Sequence, residues 1–104
     1  MEKKKCWRHG DVIIREVEKI PTGAIEQKTE KIILAYGEVT GHAHRISEGV
    51  GHLFNFDDKT YLKITSERAA LTHEEHKRID LPQGDFEIII QKDYEPKGWQ
   101  KVVD

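Results

Sequence analysis

Two short clusters hold most of the reactive side chains of this chain. His42, His44, Arg45 and Glu48 lie between Gly37 and Gly49, and His73-Glu74-Glu75-His76 brings two more histidines together around two carboxylates. Four of the six histidines therefore stand in two tight pairs. Imidazole is a common ligand for zinc, copper, iron and nickel, and it is also the side chain that exchanges a proton near neutral pH. Three functional readings follow. In the first, His42, His44 and His76 hold a divalent transition metal (zinc, manganese, iron or nickel) with Glu48 as an oxygen ligand. His73, His76 and Glu75 then serve a hydrolytic reaction on a small or nucleotide-like substrate, and Arg45 contacts an anion. In the second there is no metal. Two histidines act as general base and general acid, and Arg45 stabilises phosphoryl or oxyanion charge, which is the logic of RNA cleavage at the 2′-hydroxyl. In the third the chain is a non-catalytic regulator or ligand binder.

The spacing argues against one further class. His73 and His76 are separated by three positions, not by the four of the helical zinc-protease motif, so a metalloprotease is not indicated. His9 and His52 are background to this reading, with His52 the better placed of the two to join the site.

These residues need elements that bring them together. If His42 to Ser47 is extended, its period of two puts His42, His44 and Ile46 on one face and Arg45 on the other. Imidazoles two positions apart are then roughly 7 Å apart along the strand, and Ile46 marks their face as inward. Thr72-His73-Glu74-Glu75 fits a capping box, and one helical turn would place His73 and His76 on a common face. An extended segment would put them on opposite faces, and both conformations remain open.

The rest of the chain reads as β-structure. Residues 1–8 form a polar lead-in, and Asp11 to Glu18 begins as an apolar run and continues in alternation. Ile32-Ile33-Leu34 is apolar on both faces, as a central strand would be. His52 to Phe56 and Tyr61 to Thr65 alternate on either side of an Asp57-Asp58-Lys59 turn, with Leu62 and Ile64 facing inward. Pro82-Gln83-Gly84 signals a turn, followed by a long strand to Tyr94, and Trp99 to Val103 supplies a last short one. Seven to nine short strands without a long amphipathic helix predict an all-β fold, a barrel or a two-sheet sandwich with at most one short helical turn.

Composition sets the outer limits. A chain of 104 residues is one domain, able to bury a core without staples. A net charge of −2 gives no global field favouring nucleic acid, and a single cysteine excludes an intramolecular disulfide and fits a reducing cytoplasm. No apolar run reaches the length of a membrane span, so no membrane partner is expected. The tryptophans and tyrosines are better read as core than as stacking platforms, although an RNA or nucleotide substrate stays open. Edge strands in so small a sheet invite pairing, so a homodimer is expected.

Gly37, His42, His44 and Glu48 resemble the first cupin motif, a glycine, a spacer, His-x-His and a later glutamate, here with the spacer one residue short. Pro82-Gln83-Gly84 resembles the second, with Glu87 where the histidine belongs. The resemblance implies a small metal-binding β-barrel in which His73 or His76 replaces the missing ligand. Gly10-Asp11-Val12, Gly37 to His44, His73 to His76, Leu81 to Gly84 and Gln91 to Tyr94 also resemble a small family of bacterial and phage proteins with no settled activity. That likeness implies that both histidine clusters belong to one site.

Overall fold

A computed structural model describes residues 5–36 and 41–91. Their alternating and β-branched segments form eight strands, β1 (Cys6–His9), β2 (Val12–Val17), β3 (Ile25–Glu26), β4 (Ile32–Tyr36), β5 (Ala43–Glu48), β6 (Gly51–Phe56), β7 (Lys59–His73) and β8 (His76–Ile90). All strand pairs are antiparallel, in the order β1-β2-β8-β7-β5-β4, with β6 also on β7 and β3 on β6.

The organising unit is the hairpin of β7 and β8, each 15 residues long. The first half of β7 pairs with β6, from Lys59 to Ile64, and its second half pairs with β5, from Ala70 to Thr72. The pairing of β7 with β8 shifts register between Ile64 and Arg68, between those two halves. Between the pairs made by Ile64 and Arg68, β7 carries three residues and β8 one, and extra residues in one strand bend it and increase the local twist. The sheet curls there into an all-β half-barrel. Its concave side buries Val12, Ile14, Leu53, Leu62, Ile64, Leu71, Leu81 and Phe86, each 3% exposed or less. Trp7 packs edge-on against Phe86, with ring centroids 5.7 Å apart.

Several expectations need correction. Cys6 to Arg8 belong to β1 and are not a loose lead-in; they pair with Arg15 to Ile13. Among the described residues, Ile32-Ile33-Leu34 lies in β4 at one end of the strand order, not in its centre. Pro82-Gln83-Gly84 does not turn the chain. Pro82 pairs with Arg68 just past the register shift, and Gly84 continues the strand at φ +150°, a conformation that residues with a side chain rarely adopt. The Asp57-Asp58 turn does form, between the paired Phe56 and Lys59, with Asp57 at φ 57°. The described residues contain no helix, so none of them forms a helix long and apolar enough to cross a membrane. The strand expected over Trp99 to Val103 lies outside the described residues.

Candidate metal centre

The rim of the half-barrel collects three ends of strands: the β1–β2 turn, the start of β5 and the tip of the β7–β8 hairpin. The tip settles the ambiguity over His73 and His76. Glu74-Glu75 is a two-residue turn, and His73 and His76 are direct cross-strand partners with rings 4.6 Å apart. Neither a helical turn nor opposite faces is right. Directly opposed residues in an antiparallel pair project to the same face, so the hairpin achieves what the helical reading demanded.

His9, set aside on sequence, is the most informative member of the group. It ends β1, is 2% exposed, and its Nε2 donates to the Lys77 carbonyl at 2.9 Å. Its Nδ1 lies 2.8 Å from Nδ1 of His44, which is equally buried. A neutral imidazole carries one N–H. With that proton spent on Lys77, Nδ1 of His9 accepts, and Nδ1–H of His44 donates. Nε2 of His44 is left with its lone pair free. The relay fixes the tautomer that a metal ligand needs, as outer partners of ligating histidines do.

Burial keeps the rings neutral. It lowers the pKa of His9, helped by His76 and His73 and opposed by the Lys77 carbonyl. It holds His44 down to about 4, with His73 and His9 acting in the same direction and Asp11 against it. His73 is lowered as well, by burial first and then by His76. One ring nitrogen each from His44, His73 and His76 lie within 4.8 Å of one another. Donor atoms about 2.1 Å from a common ion stand at most about 4.2 Å apart, so small ring rotations would bring all three onto one ion. His76 makes no side-chain hydrogen bond among the described residues. His73 accepts the Glu75 N–H at Nδ1, 3.0 Å away, so ligation by this ring either displaces that bond or uses Nε2 after its proton leaves.

His42 sits beside the triad, its ring 5.7 Å from that of His73. Its Nδ1 is buried and lies 3.3 Å from a Glu75 carboxylate oxygen, at ion-pair distance but without hydrogen-bond alignment. The two adjacent carboxylates differ sharply. Glu74 accepts from the Ala43 N–H and from Arg45, each at 3.0 Å, and strapping the hairpin tip to β5 in this way occupies it. Its own backbone N–H, that of Ala43 and then Arg45 hold its pKa down to about 2. His42, His73 and Glu74 form a second close group of donors, but the Glu74 oxygens in it are already engaged.

The structure thus brings both histidine pairs into one cluster. His44 and His76 share a close donor group with His73, and His42 lies beside it, against Glu75. Glu48 is turned away at the far end of β5, where it pairs with Arg78 at 3.3 Å. Arg45 is tied to Glu74 and is not free to hold an anion. His52 pairs with Glu26 across β6 and β3, outside the cluster. Glu87, the residue in the second cupin-like segment, is buried against Arg15 and Lys59 and contributes nothing here. The one sequence signal for His9 was its position before Gly10-Asp11, at the head of a turn.

Gly10 shows how tightly the cluster is framed. It adopts φ +65°, and a Cβ built there would stand 2.7 Å from Nε2 of His76 and 3.1 Å from Cε1 of His44. His44 is packed in place, so the exposed His76 ring must move. Gly10→Ala is therefore expected to cost about 1 kcal/mol in the metal-free fold, from the left-handed backbone. The displaced ring should weaken metal affinity by roughly 10–100-fold. Titration calorimetry with Zn²⁺ beside thermal melts separates the two effects.

A family model described as a domain of unknown function, DUF8820, matches residues 8–91. The chain belongs to that family. The matched span takes in His9 and both histidine pairs, so the DUF8820 unit carries the complete cluster. No curated protein and no solved structure matches the chain.

Proposed function

We propose that this DUF8820 domain binds a divalent transition metal through His44, His73 and His76 and uses it to hydrolyse a small or nucleotide-like substrate. The observation that carries the reading is the buried His9–His44 pair. It hands the cluster one imidazole with its free nitrogen already assigned, beside two more at ligand spacing. Imidazole donors suit zinc, iron, nickel and copper, and a bound ion would supply an activated water near neutral pH. The chain's own residues handle the rest. His42, 3.3 Å from the Glu75 carboxylate, is placed to take up a proton at the solvent side, and Glu74 with Arg45 holds the hairpin tip in register with β5.

The metal-free reading draws on the same His42–Glu75 contact, since a carboxylate beside an imidazole makes a general base without an ion. One experiment separates the two. Protein purified without an affinity tag is analysed for bound metals. It is then assayed on phosphodiester, nucleotide and RNA substrates before and after chelator treatment. About one equivalent of metal, with activity lost on chelation and regained on re-addition, is the expected result. Metal-free protein that cleaves RNA with a bell-shaped pH profile would replace it. Neither metal nor turnover would leave a binding module, for which a homodimer and a cytoplasmic setting remain part of the proposal.

A further inference from the structure

We propose that the carboxylate of Asp11 is the fourth ligand of the site, completing a three-histidine, one-carboxylate donor set; this rests on the metal reading above. The inference begins from a mismatch. The relay from Lys77 through His9 leaves Nε2 of His44 as an acceptor, yet the group facing it is a carboxylate. Oδ1 of Asp11 is 3.6 Å from that nitrogen. Two acceptors facing each other repel, and the separation is too long for a hydrogen bond. A cation between them removes the conflict. Two donor atoms about 2.1 Å from one ion, at a tetrahedral angle, are themselves about 3.4 Å apart, so the gap to His44 is close to one edge of such a site. The Asp11 oxygens stand outside the close group that His44 forms with His73 and His76, so ligation requires the exposed side chain to swing toward those two rings.

The backbone holds Asp11 in this position. Its carbonyl accepts the N–H of Gln91 at 2.8 Å, which ties the β1–β2 turn to the end of β8. Gly10 before it is pressed against the His76 ring, and Val12 after it is fully buried. The side chain itself is 62% exposed, so this side of the cluster is open to solvent. Among the described residues, the other carboxylates of the cluster are less available. Glu74 is spent on Ala43 and Arg45, and Glu75 faces His42. A single carboxylate on three neutral imidazoles also halves the charge of a divalent ion, and oxygen in the donor set favours zinc, iron or manganese over a soft ion such as Cu⁺.

The test compares wild type with Asp11→Asn and His76→Ala, measuring Zn²⁺ affinity by competition with a chromophoric chelator and the visible spectrum of the Co²⁺ form. Wild type should give an intense four-coordinate cobalt spectrum. Asp11→Asn should bind at least about tenfold more weakly, with its bands shifted, while melting like wild type when metal-free. An Asp11→Asn protein with unchanged affinity and spectrum overturns the assignment and leaves the histidine triad standing. Weaker binding with an unshifted spectrum overturns it too, since that marks a charge effect from outside the coordination shell. If wild type binds neither ion, the metal reading itself fails, and His76→Ala then behaves like wild type.

Discussion

His44→Ala should abolish metal uptake and destabilise the fold, whereas His76→Ala should abolish metal uptake alone. His44 is 2% exposed and is, among the described residues, the only hydrogen-bond partner of Nδ1 of His9, so truncating it opens a cavity and leaves a buried acceptor unpaired. Such losses cost on the order of 2–4 kcal/mol. His76 projects from the exposed start of β8, and its removal should change the stability of the metal-free protein by no more than about 0.5 kcal/mol. Both remove one imidazole from the same triad. Metal stoichiometry on gel-filtered protein, read beside urea unfolding of chelated samples, checks the pair. Full metal occupancy in His76→Ala would place the ion elsewhere.

Acid should destabilise the metal-free protein over two successive pH ranges. His44 has a pKa of about 4 when folded and about 6.5 when unfolded. Above pH 6.5 neither state is protonated, and stability is unaffected. Between 6.5 and 4 the unfolded chain binds a proton that the folded one refuses, so stability falls as pH falls. At about 1.4 kcal/mol per unit, His44 alone removes about 3 kcal/mol by pH 4. His9 and His73 are lowered for the same reason and add to the loss. Glu74 acts later and through the opposite ionisation. Its pKa is depressed to about 2, so its contribution is intact above pH 4.5 and disappears as pH falls toward 2. Urea midpoints of chelated protein from pH 7.5 to 2 should show the earlier decline first. A flat profile between 6.5 and 4 would mean that the imidazoles are not held neutral.

The parts of this architecture visible in the sequence were those set by near neighbours along the chain. Alternation placed Leu62 and Ile64 in the core, and the Asp57-Asp58 turn announced its hairpin. His-x-His at 42 and 44 gave a strand start because its spacing is a property of one segment. The remainder was decided by distant pairing. Glu74-Glu75 has no turn-forming residue; it turns because Leu71 pairs with Ile79 and His73 with His76, which leaves only two residues to reverse the chain. Pro82 and Gly84 carry turn chemistry but lie where β8 bends past the register shift. Ile32 to Leu34 look central because they are apolar, and nothing local shows that β4 has, among the described residues, a neighbour on one side only. His9 joins the cluster because β1 folds back toward the start of β8, a contact between residues 68 apart in sequence, so its surroundings could not be inferred from its flanks.

The cluster gathers side chains from an early turn, a middle strand and a late hairpin in a chain whose single cysteine can form no internal disulfide. An ion seated there would act as a removable stitch, closing long loops in the same way that a disulfide does while remaining reversible by chelation. Amide exchange in β1 and at the hairpin tip should slow together when the stitch is in place, as one unit rather than as two independently fraying ends.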